Sequence, residues 1–432
     1  MSTLPQASVI IPAWNGVEYL KSCLEAVMAL NYTDLEVIVV DDGSTDGSAE
    51  LVAERFPQIR LIRNEHNLGF AAGCNIGLRA ATGDILVLLN QDTEVHPGWL
   101  AALVDAFRDP EVGIAGCKAL YPDGSIQHAG GFTYGSRAET EHIGRHEPDD
   151  GRFDAPRDAD FVTGAALAIS RAALARIGLL DEGFYPAYYE DTDWCYTARE
   201  LGFRVVYAPT AQLIHHETPH AQRESHAHKY ALHHGRMRLV FKHWTLERLQ
   251  REFVPAERAW ATRLGRTVEM MAARRAYLTT MLEVGPIAAF RARPGGVAHG
   301  QDSAEETLNL LRLLADLRTA CVAGETTEPG TLLSQRYEMF KALWERQAFH
   351  KPTFMSKLPI LGPRIAALSQ LSHALRQQVM YNIRLGEMLT LMMQWNTELE
   401  RDAAENMREI NELAERLASL SKTCPAQTEK EP

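Results

Sequence analysis

The sequence predicts an α/β domain built on a parallel sheet, followed by a helical region and a C-terminal coiled coil. Three observations carry that expectation. Short β-branched runs alternate with helical patterns over the first 120 residues. Acids stand at the ends of two of those runs, where a parallel α/β sheet binds its ligands. A seam of mostly apolar residues spaced 3,4,3,4 runs from Leu368 to Leu420.

In chain order, SVIIPA, LEVIVVDD, IRLIRN and DILVLLNQD read as strands, and the segments around 17–30, 48–55, 70–81 and 98–108 as helices. The second and fourth strands end in Asp41-Asp42 and Asp92. From about 121 to 160 the chain turns Gly-, Asp- and His-rich, which suggests a loop or small hairpin. FVTGAALAIS resumes as a strand and leads to a short helix through Ile177. Glu190-Asp191 then precede an amphipathic helix, and a β-branched strand ends at His215-His216. Residues 226–290 are helical in pattern, 291–303 read as a linker, and helical pattern returns at 304–320. The expected division is a catalytic domain at 1–235, a helical accessory region at 236–365, a coiled-coil helix at 366–422 and a disordered tail at 423–432. The seam holds for about seven heptads, longer than helices lying on a core usually persist.

Bulk composition narrows the function classes. With 46% hydrophobic and 23% charged residues the chain is an ordinary globular protein. A formal net charge of −12 speaks against a general nucleic-acid binder. The six cysteines stand apart with no CxxC pair, which points to reduced thiols in a cytoplasmic protein. The N-terminus lacks the basic start and apolar core of a signal peptide. Residues 223–275 hold 12 Lys/Arg against five Asp/Glu, interleaved with apolar residues. Such a stretch suits either peripheral contact with an anionic membrane surface or the solvent face of packed helices.

Four motifs carry chemistry. VVDDGSTDGS sets two carboxylates at a strand end; one can accept the N3–H of a uracil or thymine, while Ser44 or Asp46 can cap the next helix. NEHNLGFAAGCNIGL is a Gly-rich turn entering a helix, suited to close approach by phosphate or sugar and equally to loop packing. LLNQDTEV offers Asp92 to a hard cation, which takes one or two carboxylates and keeps water for the rest. His215 or His216 can complete that set, or both can be plain surface residues. YYEDTDW places carboxylates among aromatics, where desolvation raises a base toward a useful pKa. The same acids also suit a helix N-terminus.

Taken in one order over about 215 residues, SVIIPAWNG, VVDDGSTDGS, NLGFAAGCNIGL, LLNQDTEV, FVTGAALAISR, YEDTDWCYTARELGFRVVYAP and the His pair resemble the family 2 glycosyltransferases of the GT-A fold, in their rhamnosyltransferase-like bacterial branch. The resemblance implies an inverting, metal-dependent transfer of sugar from a UDP- or dTDP-sugar, dTDP-rhamnose among them, to a glycan or lipid-linked acceptor in cell-surface polysaccharide synthesis. It implies that Pro12 and Asp42 hold the nucleotide base, with Ala13, Asn15, Asp41, Asn67, Gly69, Asn75, Asn90 and Gln91 also on the donor side. Gly164 and Ala165 would line the sugar, and Tyr189 and Trp194 the acceptor. Asp191 would be the base, with Glu190 its rival. Asp92, with His215 or His216, would hold Mg or Mn. Two departures stand out: the metal motif reads Asn90-Gln91-Asp92 with a single acid, and Thr197 stands where relatives often carry Arg.

Two other classes compete. An inactive sugar-nucleotide-binding scaffold would work through the coiled coil, but the acids and the His pair are all present. A nucleotidyltransferase would need a Gly- and Arg/Lys-rich triphosphate loop, and IIPAWNGVEYL has none. The heptad seam predicts a parallel homo-oligomer, with a partner protein's matching helix as the alternative.

Overall fold

The computed structural model describes residues 5–217, 225–264, 267–301 and 303–322. The coiled-coil seam and the tail lie outside the described residues, as does the accessory region beyond Val322.

The alternation of the first half folds as β1 (Ala7–Ala13), α1 (Val17–Met28), β2 (Leu35–Asp41), α2 (Ser48–Arg55), β3 (Arg60–Arg63), α3 (Phe70–Ala80), β4 (Ile85–Leu89), β5 (Thr93–Val95) and α4 (Trp99–Asp105). Strands covered on both faces read as unbroken apolar runs, and the buried ILVLL of β4 is one. Its residues alternate between two cores. Val87 and Leu89 join Val9 and Ile11 of β1 against Leu20 and Leu24 of α1 and Trp99 of α4. Leu86 and Leu88 join Ile10 of β1 against Cys74 and Leu78 of α3. Each such side chain contributes about 1.5–3 kcal/mol by leaving water.

The parallel expectation holds for β1, β2, β3 and β4 but not for the whole sheet. After β6 (Val112–Leu120), β7 (Ile126–His128), the hairpin β8 (Gly131–Tyr134) and β9 (Glu139–His142), and β10 (Arg157–Asp158), the strand β11 (Ala166–Ser170) runs antiparallel between β4 and β6. Helices α5 (Arg171–Ile177) and α6 (Glu190–Glu200) follow, then β12 (Arg204–His215), which is parallel to β6 and antiparallel to β5. The sheet order is β10-β12-β6-β11-β4-β1-β2-β3. The two reversals build the site. Antiparallel β11 sets its first residue, Ala166, beside Leu89 at the end of β4. Antiparallel β5 and β12 pair Thr93 with His215.

β6 was not expected from the sequence. It is buried along its whole length yet has little β-branched character, because Gly113 and Gly116 make room for neighbours. A Cβ at Gly116 would lie 2.3 Å from Val162, and one at Gly113 2.7 Å from Phe203.

The chain continues as α7 (His226–His243), a short helical stretch ending in π turns at Leu249–Phe253, α8 (Val254–Leu264), α9 (Val268–Leu282), α10 (Val284–Arg291) and α11 (Ser303–Val322). These helices fall in one compact unit with the sheet, Met1–Gly324. The segment read as a linker opens on buried Arg291, which pairs with Glu306 and donates to the Phe241 and Trp244 carbonyls at 2.7 and 2.6 Å. Much of the basic surplus is also turned inward. Lys242 bonds Asp181 and Asp193 at 2.7 Å, and Arg238 bonds Asp181 and Glu283. No described helix is long and apolar enough to cross a membrane.

Candidate active site

Pairing of β5 with β12 brings Asp92 against His215, whose Nε2 lies 3.2 Å from Asp92 Oδ1. The other ring nitrogen, Nδ1, is 2.6 Å from Gln127 Oε1. The Gln127 amide nitrogen is committed elsewhere, to the His215 carbonyl and Glu217 Oε2 at 3.4 Å each. Nδ1 of His215 therefore carries hydrogen, and a neutral ring turns the Nε2 lone pair on the carboxylate. Two lone pairs at that distance need a proton or a cation between them. With a proton there, burial would still raise the Asp92 pKa, but the hydrogen bond and charge of His215 outweigh it and hold the carboxyl below its usual range. One carboxylate, one imidazole and an orienting amide behind it suit Mg²⁺ or Mn²⁺ with remaining ligands from water and phosphate. Among the described residues no group of three His, Cys, Asp or Glu is placed to hold an ion by itself.

The sequence left His215 and His216 open; the structure separates them. His216 turns away to Glu94, 2.8 Å from Nε2, and lies beside the Tyr19 ring. Successive strand residues point to opposite faces, so only one of the pair can reach Asp92. The metal assignment of His216 is thereby corrected.

Antiparallel β11 presents Thr163-Gly164-Ala165 to the site. The Ala165 carbonyl accepts from the Asn90 amide at 2.9 Å, and the Gly164 amide donates to Asp191 Oδ2 at 2.7 Å. Asp191 Oδ1 accepts from the Thr192 amide at 2.6 Å and its hydroxyl at 3.1 Å. Burial raises the Asp191 pKa even against those hydrogen bonds. Glu190 is more deeply buried, its Oε2 has no hydrogen-bond partner, and burial and the Asp191 charge push its pKa well up. The two acids are therefore unlike: Asp191 is half-buried and anchored, Glu190 enclosed. They open α6, as the helix-terminus reading expected, with Tyr188 and Tyr189 before them at φ 83° and 72°. That strained entry fits under α7 because residue 235 is glycine; a Cβ there would meet the Tyr188 carbonyl oxygen at 2.4 Å. Gly235→Ala gains about 1 kcal/mol of helix propensity. It is nonetheless expected to destabilise by about 1–3 kcal/mol net and to cut turnover. A melt at or above the wild-type temperature would contradict the close contact.

At the other end, Asn15 Oδ1 accepts from the Thr45 amide at 2.8 Å and its own amide donates to Ser44 Oγ at 3.0 Å, tying the loops after β1 and β2. Asp46 bonds the Val17 and Ser48 amides, but the N-cap of α2 is Gly47, without a side-chain cap, so the expectation that Ser44 or Asp46 caps that helix is corrected. Asp41 and Asp42 are both buried. Asp42 accepts from the Leu68 and Gly69 amides and Asn64 Nδ2, shaping the loop that carries Asn67. Gly69 makes room for Tyr185 and Pro186, with φ 91°. Pro12 and Ala13 sit where β1 meets this loop cluster, and the Ala13 carbonyl accepts from the Asp42 amide at 2.8 Å. Gln91 clamps the Trp14 backbone twice at 3.0 Å, and Asn90 Oδ1 is buried without a partner.

Two further assignments are corrected. Asn75 is buried and uses both amide hydrogens and its oxygen on the Leu180 backbone and Glu182, at 2.9–3.0 Å, which ties it into the fold in place of the donor. Trp194 lies in the core with its indole N–H on the Gly178 carbonyl at 2.9 Å, out of an acceptor's reach.

A cavity of about 730 Å³ joins these pieces, lined by Asn90, Asp92, His215, Gly164, Asp191 and Tyr189. Its far wall comes from beyond the sheet: Arg137 of the hairpin, and His228, His233, Trp260 and Glu269 of α7, α8 and α9. Sequence reasoning missed Gln127, Arg137 and His142 because the segment 121–160 carries no periodic pattern, and the helical part of the wall because a helical pattern does not say which residues meet a cavity.

Residues 8–178 match the family described as Glycosyl transferase family 2. The chain carries a family 2 glycosyltransferase domain. The chain is 33% identical over 231 residues to an uncharacterized protein of Sinorhizobium fredii, covering 50% of this chain and 25% of that one. It is 30% identical over 224 residues to the O-antigen biosynthesis protein RfbC of Myxococcus xanthus, covering 50% and 17%. The chain thus spans a quarter or less of these two relatives. An N-acetylglucosaminyl-diphospho-decaprenol L-rhamnosyltransferase of Mycobacterium tuberculosis is 27% identical over 252 residues, covering 52% of this chain and 80% of that one. Among solved structures, GalNAc-T7 with UDP, GalNAc and Mn2+ is similar at a TM-score of 0.47 and 20% identity, over 60% of this chain and 50% of that one.

Proposed function

We propose that this glycosyltransferase moves a sugar, with inversion, from a UDP- or dTDP-sugar to a hydroxyl of a glycan or lipid-linked acceptor in cell-surface polysaccharide synthesis. Similarity to a rhamnosyltransferase and an O-antigen biosynthesis protein favours dTDP-rhamnose as donor. The observation that carries the reading is Asp191, a half-buried carboxylate of raised pKa held by the Gly164 amide in the cavity that also contains Asp92 and His215.

In this reading Asp191 takes the proton of the acceptor hydroxyl. The oxygen forms its bond to the anomeric carbon as the bond to the diphosphate breaks, and the nucleoside diphosphate leaves. Asp92 and His215 would hold Mg²⁺ or Mn²⁺, which supplies positive charge against the leaving diphosphate when bound. The loops that Asn15 and Asp42 hold together form the nucleotide end, and Tyr189 with the far wall forms the acceptor end. The deciding experiment measures nucleoside diphosphate release from UDP-, dTDP- and GDP-sugars; no release from any of them with Mn²⁺ and a glycan or lipid-linked acceptor panel would reject sugar transfer.

Chelation by EDTA is expected to stop turnover and Mn²⁺ to restore it, with Asp92→Ala and His215→Ala inactive. Gln127→Ala keeps both ligands but frees the imidazole, so the Mn²⁺ concentration for half-maximal rate should rise about 10–100-fold. An unchanged Mn²⁺ requirement in that variant would remove Gln127 from the metal's support.

We also propose the division at 1–235, 236–365 and 366–422, and a homo-oligomer joined through the last of these. Deleting 366–432 should leave a monomer that still turns over donor. Light scattering that finds the full chain monomeric at micromolar concentration would rule self-association out. For a lipid-linked acceptor, exposed Arg251, Arg258 and Arg263 supply cations for peripheral contact with an anionic surface.

A further inference from the structure

A second histidine pair lies beside the site and has no part in the proton transfer or in holding the metal. His128, the last residue of β7, is fully buried, and its Nδ1 lies 2.8 Å from Nδ1 of His142 on β9. Its Nε2 lies 3.3 Å from the Thr163 amide. A backbone N–H can only donate, so Nε2 of His128 is bare. A neutral His128 then carries its hydrogen on Nδ1 and gives it to His142 Nδ1, which must be bare in turn. A neutral His142 is left with its hydrogen on Nε2. Burial keeps both rings neutral: it lowers the His128 pKa well below the usual imidazole value, and burial together with Arg145 brings His142 down to about 4. His142 lines the same cavity as Asp92 and Asp191, with Nδ1 turned to His128 and the Phe161 ring edge-on to it at 5.4 Å. Nε2 is the atom left for a ligand.

We propose that His142 contacts substrate, donating its Nε2–H to a phosphoryl or hydroxyl oxygen, and that Thr163 and His128 fix it as that tautomer. His128 is a positioning residue, and it braces the amide next to the one that holds Asp191. The proposal rests on the sugar-transfer reading for what fills the cavity, but the tautomers are a property of the free protein.

The test is a long-range ¹H–¹⁵N correlation on full-length protein labelled at histidine, at pH 7. Signals are assigned from His128→Gln and His142→Gln. The expected result is Nδ1–H for His128 and Nε2–H for His142; the opposite tautomer at either ring overturns the proposal, whatever the enzyme's activity. UDP or dTDP with Mn²⁺ is then titrated in. A shift at His142 Nε2 places a phosphoryl oxygen on it. No shift, with a loss in kcat/KM for acceptor alone in His142→Phe, places an acceptor hydroxyl there. His142→Phe should lose about tenfold in kcat/KM, the worth of one hydrogen bond, and His142→Gln, which keeps an N–H near the Nε2 position, should recover most of it. A His142→Phe enzyme equal to wild type, with no shift on titration, overturns the substrate contact.

Discussion

Asp191→Asn is expected to lower turnover by about 10²–10⁴-fold while leaving affinity for the nucleoside diphosphate nearly unchanged. The amide keeps the size of the carboxylate but only one acceptor oxygen, enough for the Thr192 amide and hydroxyl or for the Gly164 amide, so the loop should lose one hydrogen bond, about 1 kcal/mol, and still hold its shape. What is lost is the capacity to take a proton. Only deprotonated Asp191 can act, so kcat/KM should climb with pH through a value above the ordinary aspartate range, and the variant should lose that limb. Glu190→Gln is the control. An enclosed acid with its pKa pushed well up is replaced by a neutral amide of the same shape, and activity should stay within about tenfold of wild type. An inactive Glu190→Gln beside an active Asp191→Asn would exchange the two roles.

The sequence displayed the strand-end acids because their chemistry is local. Asp41-Asp42, Asp92 and Asp191 each follow or open an element whose period is plain. It did not display partners that meet only through topology. Gln127 reaches His215 and Thr163 reaches His128 across the sheet, and no spacing in the chain encodes those contacts. Which histidine faces Asp92 depends on the register of β12 against β5, set by side-chain alternation along the strand and hidden in a tandem pair. Trp194 and Asn75 misled for a related reason. A motif marks residues that a fold needs together, and it does not separate those that touch ligand from those that hold the loop which does. The sheet was misjudged at β6, where small residues give tight packing in place of β-branched bulk, and in the direction of β11, which the sequence marked as a strand but not as an antiparallel one.

The largest expected effect on stability is at Glu257, and it bears on how the helices after the glycosyltransferase domain are joined to the cavity. Glu257 on α8 is fully buried and accepts from Arg236 at 2.7 and 3.0 Å, Arg137 at 2.7 Å and the Tyr277 hydroxyl at 2.7 Å. Burial raises its pKa, but the two guanidiniums outweigh that and bring it down to about 2. Glu257→Ala leaves two cations facing each other with little water, at a cost of about 3–5 kcal/mol. The pH dependence has a definite sign. The folded pKa lies below the unfolded one, so the contribution is complete above about pH 4.5 and is lost as pH falls toward 2. Denaturant melts of wild type and variant should therefore differ most at pH 7, draw together below about pH 4.5 and converge only as pH falls through about 2. A difference under about 1 kcal/mol at pH 7 would mean that the cluster is solvated rather than buried. Arg137 belongs to the turn of the β8–β9 hairpin and stacks on Trp260 at 4.0 Å, so Glu257 links the hairpin to α7 and α8 across the far wall of the cavity. A Glu257→Leu, Arg236→Met double variant should recover part of the lost stability, because it removes one cation with the anion. It should leave Arg137 held only by Glu139 and the Trp260 ring, raising KM for acceptor more than for donor. Equal effects on both substrates would show that the far wall does not belong to the acceptor.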